Sequence, residues 1–152
     1  MKRHEALIPL SHHHHHALVK ALEMKKAGTE KSEKNYKQLI REMIDFWKED
    51  GQNHFRDEED ILLPVYLEYA EQPNEDLVKQ MLYQHAQIRC LIRHLRESQH
   101  TSYDKVHELG ELLDEHIRLE ERELFPLIEE AVPDKYLYEA KGGFQRDSVS
   151  GK

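Results

Sequence analysis

The stretch HFRDEEDILLP, residues 54–64, decides the fold, and it returns as HIRLEERELFP at residues 116–126. The two copies share the frame H-x-R-x-E-E-x-x-L-Φ-P, in which Φ is an apolar residue. On a helix, the histidine and the first glutamate lie about 40° apart around the axis and about 6 Å apart along it, so both can reach one metal ion. Helix propensity does not explain the histidines, because histidine is not among the favoured helix formers. Two such pairs, each closed by a proline, therefore indicate a duplicated metal-binding motif.

The composition favours a single helical domain. The chain has 152 residues, of which 38% are hydrophobic and 34% are charged, with 6 glycines and 5 prolines. Few glycines and prolines favour long amphipathic helices over many short strands. The formal charge of −8, with both signs interspersed, argues against a nucleic-acid partner. Because no apolar run approaches the ~20 residues that cross a bilayer and no signal-peptide core opens the chain, we expect a soluble, cytoplasmic protein.

The content of cysteine and histidine restricts the ligands that a metal could have. Cys90 is the single cysteine, so the chain can form neither an internal disulfide nor a thiolate cluster. The sequence contains 12 histidines, and neutral imidazole is the usual biological ligand for iron, zinc and copper. Any metal must therefore be held by nitrogen and oxygen atoms.

Apolar residues recur at helical spacing in four segments, of which the first two precede residue 70. The first is predicted to begin after the N-cap Ser11 and to run to about Lys26, with Gly28 as the stop signal. The second begins near Ser32 and carries the first copy of the motif. Pro64 is expected to end or kink this helix, because its ring clashes with the preceding turn.

The other two segments lie after the turn at residues 72–74. The third helix follows this turn directly, and the fourth is capped by Ser102 and interrupted at Pro126. A short helix is predicted after Pro133. Residues 142–152 have no core-forming period and are expected to be a flexible polar tail.

These elements predict an all-α fold. Four helices joined by short links pack as an up-down-up-down antiparallel four-helix bundle, here with a short C-terminal helix and a polar tail. Residues 1–141 form the domain and residues 142–152 form the tail.

Such a bundle brings one histidine from each helix, and two glutamates, to a common axis. Burying two carboxylates in an apolar core is prohibitive unless cations lie between them. If each glutamate bridges two metals and each histidine gives one nitrogen, about eight of roughly twelve octahedral positions are filled. An oxo or hydroxo bridge would fill about two more and leave about two open for a small ligand. This ligand mixture suits iron best, with zinc or manganese as alternatives; the predicted metal ligands are His14, His54, Glu58, His85, His116 and Glu120.

A slip in helical register would change this set. Only one residue of the five-histidine run can face inward, and His13 or His15 are the alternatives to His14. Glu121 is the alternative to Glu120, although a glutamate five residues after its histidine lies about 140° around the helix and normally faces a neighbour or solvent.

Three further features of the motif regions carry expectations. Glu59 has the same five-residue spacing as Glu121 and the same expected orientation. Gly51 lies inside the second helix, where a glycine costs about 1 kcal/mol relative to alanine, and is either a tolerated defect or a source of space near His54. The aromatic residues predicted for the core are Phe55, Phe125, Trp47 and Tyr83.

The order of these motifs resembles the hemerythrin-like, or HHE cation-binding, family. The motifs that carry the resemblance are Leu10-Ser11-x-x-His14, the two repeats, and His85-x-x-Ile-Arg89, and together they span about residues 5–130. The resemblance implies a four-helix bundle with a non-haem di-iron centre that binds dioxygen or related small ligands through the six residues above. Oxygen-carrying members have a second histidine where this chain has Arg89. This departure favours the broader bacterial-type HHE proteins.

We therefore expect a di-iron protein that binds O₂, peroxide or NO as a sensor, store or scavenger, because the sequence carries no motif for an organic substrate. One alternative is a di-iron oxidase or peroxidase in which Gly51 marks a substrate cavity. Another is a zinc-containing structural bundle whose surface binds a protein partner. The sequence gives no oligomeric state.

Overall fold

The computed structural model describes residues 2–29, 35–97 and 103–144, and all regular structure within these ranges is helical. The helices are α1 (Ile8–Lys26), α2 (residues 36–69), α3 (Glu75–Glu97), α4 (residues 103–131) and α5 (Asp134–Gly143), and a short 3₁₀ turn, Glu5–Leu7, precedes α1. The predicted all-α fold is confirmed. Within the described ranges, no helix is both long and apolar enough to span a bilayer.

Consecutive helices run antiparallel. His13 of α1 contacts His54 of α2, whereas Lys20, further along α1, meets Glu42, which lies earlier on α2. The same reversal relates α2 to α3 and α1 to α4, so the four long helices alternate in direction around one core, as an up-down-up-down bundle does. The contacts that establish these two reversals are Tyr66 with Asn74 and Glu59 with Arg89, and His14 with Glu121 and Lys25 with Asp114.

The first helix begins one turn earlier than predicted. It starts at Ile8 with Leu7 as the N-cap, so Ser11 lies inside the helix, where its hydroxyl donates to Glu121 Oε2 at 2.7 Å. The end at Lys26 agrees with the prediction, and Gly28 adopts φ = 80°, the left-handed conformation that glycine reaches without strain. The predicted caps at residues 32 and 102 lie outside the described residues.

Neither proline ends its helix; the prediction for Pro64 was an end or a kink, and the prediction for Pro126 was an interruption. The backbone of α2 passes without a break through Tyr36–Phe46, Trp47–Gly51, Gln52–Asp57, Glu58–Leu62 and Leu63–Tyr69, and α4 passes through Tyr103–Leu119, Glu120–Leu124 and Phe125–Ala131. The turns Trp47–Gly51, Glu58–Leu62 and Glu120–Leu124 are π-helical, with i→i+5 hydrogen bonds. Two of them end two residues before Pro64 and Pro126. A wider turn there moves the preceding carbonyls away from the proline ring, so the helix continues.

Two apolar clusters fill the bundle and leave a polar layer between them. One cluster contains Leu10, Leu62, Met81 and Phe125, and the other contains Met24, Met43, Ile88 and Leu109. Each side chain in these examples is less than one tenth exposed. The polar residues predicted to bind metal lie in the layer between the clusters, where water is excluded.

Tyr83 was predicted to be a core aromatic, but it is 66% exposed, because it lies two residues before the buried His85 and so faces the other side of α3. The predicted helix after Pro133 is α5, which extends to Gly143 and is followed by the buried Phe144. The remainder of the predicted tail, residues 145–152, lies outside the described residues.

Candidate metal centre

The six side chains that the sequence predicted as ligands meet in the polar layer. Each is at most 5% exposed, and both glutamates are fully buried. Within each repeat, the histidine Nε2 lies close to the glutamate four residues later, at 2.9 Å for His54 and Glu58 and 3.0 Å for His116 and Glu120. This local spacing follows directly from the helical period.

Contacts between helices join the two repeats into one cluster. His14 Nε2 lies 2.7 Å from Glu120 Oε1 and 3.5 Å from Glu58 Oε2. His85 Nε2 lies 3.1 Å from Glu58 Oε1 and 3.4 Å from Glu120 Oε2. Each glutamate therefore has histidines from three helices around it.

The potential donor atoms form two groups of four that share both glutamates. The atoms within each group all lie within 4.8 Å of one another. Each group contains two histidines and two carboxylates, so each group could hold one cation, with both glutamates belonging to the two groups. The first group is His14, His54, Glu58 and Glu120, and the second is Glu58, His85, His116 and Glu120.

The buried polar atoms of the cluster fit a cation better than they fit one another. Six buried side-chain atoms of the cluster have no hydrogen-bond partner among the described residues: both carboxylate oxygens of Glu58 and of Glu120, and Nε2 of His85 and of His116. These atoms lie close together, but the geometry between them is not that of a hydrogen bond. Buried polar atoms without partners are costly, and a cation between them would satisfy their lone pairs.

The electrostatics of the metal-free cluster are those of strongly paired charges. Burial alone would lower the pKa of His85, but the carboxylates of Glu120, Glu58 and Glu59 outweigh burial and raise it to about 11. Burial and the charge of Glu120 would raise the pKa of Glu58, yet the histidines at 54 and 14 lower it to about 2. The pKa of His14 is also raised, against the effect of burial, by the surrounding glutamates. Metal ions that enter must therefore displace protons.

A second layer of residues holds the other ring nitrogen of two of these histidines. The Nδ1–H of His85 donates to Glu59 Oε2 at 2.6 Å, and the Nδ1–H of His14 donates to Glu121 Oε2 at 2.5 Å. Glu59 and Glu121 are the second glutamates of the two repeats, and each reaches a histidine on another helix. Such carboxylates fix the ring and make its free nitrogen a better donor to a metal.

The remaining two histidines have uncharged partners. His116 Nδ1 lies 2.8 Å from the amide oxygen of Gln84, and His54 Nδ1 lies 3.3 Å from Nδ1 of His13. Burial and the nearby His54 lower the pKa of His13 to about 4, so His13 is neutral at pH 7. Each group of four donors therefore contains one histidine whose Nδ1 contacts a carboxylate and one whose Nδ1 contacts a neutral side chain.

The residues that the sequence left as alternatives lie in different places. His14 lies in the cluster, whereas His13 contacts a ring from outside it and His15 is exposed. Glu120 lies in the cluster, and Glu121 lies behind His14. The sequence analysis did not predict that Gln84 and His13 contact the Nδ1 atoms of His116 and His54. For the carboxylate partners Glu59 and Glu121, the Glu-Glu doublet in both repeats was a usable signal.

A small apolar cavity of about 30 Å³ adjoins the cluster. Three of the four clustered histidines border it, together with Trp47 and Gly51; the remaining lining residues are His13, Ala17, Met43, Phe46, Phe55, Ile88, Leu113 and Ile117. A β-carbon on Gly51 would lie 2.8 Å from Trp47 Cε3, so the glycine provides the space in which the indole ring packs. This cavity has room for about two water-sized groups.

The chain matches a known protein-family model. This is the model of the hemerythrin HHE cation-binding domain, and the match covers residues 6–128. The chain belongs to this family. The hemerythrin HHE match spans α1 to α4, including both repeats and all six clustered residues. No curated protein and no solved structure matched the chain.

The family assignment and the cluster agree on one chemical point. The HHE domain is a cation-binding domain, and this member carries two His/Glu groups that could each hold a metal ion. Arg89, at the position of the second histidine in oxygen carriers, does not enter the cluster but donates to both oxygens of Glu59, at 2.8 and 3.2 Å.

Proposed function

We propose that this HHE protein holds two iron ions and binds O₂, peroxide or NO beside them, as a sensor, store or scavenger. The observation that carries the proposal is the pair of four-donor groups that share two buried glutamates. Its ligands are the six predicted residues His14, His54, Glu58, His85, His116 and Glu120.

The donor set supports iron as the metal. Each group offers two imidazole nitrogens and two carboxylate oxygens, a mixture that suits iron. The site has no cysteine and therefore lacks the soft ligands that favour Cu(I) or iron–sulfur clusters. Four protein donors leave about two of six octahedral positions to other ligands. Iron held by these residues would supply open coordination positions and a change of oxidation state.

The cavity supports a small ligand rather than an organic substrate. It is lined by apolar atoms, holds about two water-sized groups, and adjoins His14, His54 and His116. A diatomic molecule or peroxide matches this size, and an apolar lining favours O₂ and NO over charged solutes. A larger substrate would require the packed side chains to move. The cavity therefore favours a binding protein over an oxidase of organic molecules.

The surrounding side chains orient the ligands and exclude water. Glu59 and Glu121 each fix one histidine ring through its Nδ1–H. Phe55 stacks on His85 with ring centroids 3.7 Å apart and planes 3° apart, and Trp47 packs edge-on against Phe55 at 5.1 Å. Both aromatic side chains line the cavity and are at most 6% exposed.

Iron loading under anaerobic conditions, followed by titration with NO, tests the proposal. We expect two irons per chain, a change in visible absorption that saturates with NO, and near-ultraviolet bands of a coupled ferric pair after exposure to air. His54→Ala and His116→Ala should each lower the iron content. His107→Ala is the control, because His107 Nε2 binds the backbone oxygen of Ala27 at 2.7 Å, far from the cluster.

Two results would contradict the proposal. One is a wild-type protein that takes up no iron even from excess ferrous salt. The other is equal iron content in the wild type and in both histidine variants. Zinc as the only metal in protein purified without added metal would instead support a structural role, since zinc does not change oxidation state.

A further inference from the structure

Two exposed histidines of α1 face each other one turn apart, on the side of the helix away from the cluster. His16 Nε2 lies 3.2 Å from His12 Nε2, with ring centroids 4.7 Å apart and planes at 88°. On a helix, His14 points about 160° away from each of these two residues. The pair is therefore separate from the buried centre.

The distance between the two nitrogens is the one that a shared metal ion requires. Imidazole nitrogens bind first-row metals at about 2.05 Å, so two of them 3.2 Å apart subtend about 103° at one ion. This angle is close to tetrahedral and allows water to complete the coordination. Two histidines at i and i+4 on one helix face are the same arrangement that binds zinc in helical metalloprotease motifs.

We propose that His12 and His16 form a second, solvent-facing site for a divalent transition metal. Its affinity should follow the order Cu²⁺ > Ni²⁺ > Zn²⁺, because both protein donors are imidazoles and geometry selects only weakly. The groove beside His16 is lined by one cation, Lys20, and by four carboxylates, so its net charge is negative and increases the local concentration of cations; the carboxylates are Glu42, Asp45, Glu49 and Asp50.

Titration with Ni²⁺ tests this site on protein whose buried centre is already loaded with iron and freed of excess metal. We expect one further Ni²⁺ per chain. His12→Ala and His16→Ala should each weaken this binding by more than about tenfold while the iron content stays unchanged. His15→Ala is the matched control, because it removes an exposed histidine of the same run but leaves the facing pair intact.

The outcomes separate this site from the buried centre. Absence of the additional Ni²⁺, or equal weakening by His15→Ala, would overturn the proposal. If the buried centre takes no iron, the titration is made on metal-free protein, where His12→Ala should remove the surface binding step and His54→Ala should not.

Arg3 and Arg89 bind the two glutamates that accept hydrogen bonds from the clustered histidines His14 and His85. Arg89 donates to both oxygens of Glu59, and Arg3 donates to the side chain of Glu121 at 3.3 Å and to its backbone oxygen at 2.7 Å. The two chains of contacts therefore run Arg89–Glu59–His85 and Arg3–Glu121–His14.

Aromatic rings complete the same arrangement on both sides. Phe55 stacks on His85 and has the Arg89 guanidinium 5.3 Å from its ring centroid. Phe125 stacks on His14, with centroids 5.3 Å apart, and has Arg3 at 5.5 Å. The arginines come from unrelated places in the sequence, one before α1 and one within α3, so the repeat of the motif does not explain the likeness.

The geometry points to Arg3 and Arg89 as positioning residues, one for each metal position. This inference rests on the proposed function. His14 belongs to one group of donors and His85 to the other, so each arginine acts on a single group. By holding the carboxylate, the arginine fixes the direction of the hydrogen bond to the histidine, and second-layer partners of this kind change metal affinity about 10–100-fold.

Metal titration of Arg89→Ala and Arg3→Ala tests the assignment. Each variant should weaken one of the two binding steps about 10–100-fold and leave the other unchanged. Arg89→Lys should recover part of the loss, because lysine keeps the charge but not the two-point contact. Arg93→Ala is the matched control, since Arg93 is exposed on the same helix and has no carboxylate partner within the described ranges.

A purely structural role predicts a different result. It would lower the melting temperature of the metal-free protein and weaken both steps together. That pattern, or an unchanged affinity in both alanine variants, would overturn the assignment. A wild type that binds no metal would instead contradict the proposed function.

Discussion

Filling the cavity beside the cluster should block the small ligand without displacing the metals. Ala17 lines this cavity from α1 and is 7% exposed. The cavity of about 30 Å³ holds about two water-sized groups, at roughly 10–15 Å³ each. Ala17→Val adds two methyl-sized groups, which leaves no room for a diatomic molecule. None of the six clustered side chains is changed, so the iron content should remain at the wild-type value.

The size of the effect follows from the cost of overpacking. A ligand that binds the variant must push packed side chains aside, at about 1–3 kcal/mol, which corresponds to about 5–150-fold in affinity. The assay is NO titration of the ferrous protein, followed by visible absorption. Ala86→Val is the control, because Ala86 is exposed on α3 outside this cavity and the change in helix propensity is the same. Unchanged NO affinity at full iron content, or an equal loss in the control, would refute the reasoning.

The remaining predictions concern pH, chelation and the core. In the metal-free protein, the pKa of His85 is raised to about 11 from an ordinary 6.5, so its contribution to stability is complete below pH 6.5 and declines towards pH 11. The pKa of Glu58 is lowered to about 2 from 4.5, so its contribution to stability is complete above pH 4.5 and is lost towards pH 2. Because metal must displace these protons, the rise in melting temperature on iron loading should grow from pH 6 to pH 8, and a rise that shrinks over this range would contradict the cluster's charge state. Chelation should lower the melting temperature but leave the helical circular dichroism signal unchanged. A metal at 1,000-fold above its Kd adds about 4 kcal/mol to the free energy of unfolding of a bundle that has its own apolar core. Complete unfolding on chelation would show that this core does not hold the fold without metal. Met81→Ala, at a fully buried position, should cost about 2–5 kcal/mol in urea denaturation, whereas Leu82→Ala, 39% exposed, should cost far less; similar losses would contradict the packing described.

Several parts of the fold and the site could be predicted from the chain because they are local. The spacing of His54 and Glu58 places both side chains on one helical face whatever the rest of the protein does. The stop at Gly28 is local too, since the positive φ there requires little of the surroundings. The same holds for the apolar stripes, which mark the inner face of each helix.

The errors arose where several residues act together. Pro64 was expected to end or kink its helix and Pro126 to interrupt its helix. Neither helix ends there, because a π turn precedes each proline and the packing of a long helix on three neighbours outweighs one widened turn. Ser11 was taken for a cap, but the helix starts earlier and the hydroxyl binds Glu121 instead. Tyr83 was placed in the core from its aromatic character alone, and the face of α3 on which it lies is exposed.

The amino-acid order by itself determined the helices, the inward histidines and the two His/Glu pairs, since each depends on residues within a turn or two. Only the tertiary structure decided that the glutamates of both repeats are shared between two donor groups, that Glu59 and Glu121 reach histidines on other helices, and that a cavity adjoins the cluster. These features depend on the rotation of each helix about its axis against its neighbours. That rotation is set by packing summed over the whole bundle, which no local spacing contains.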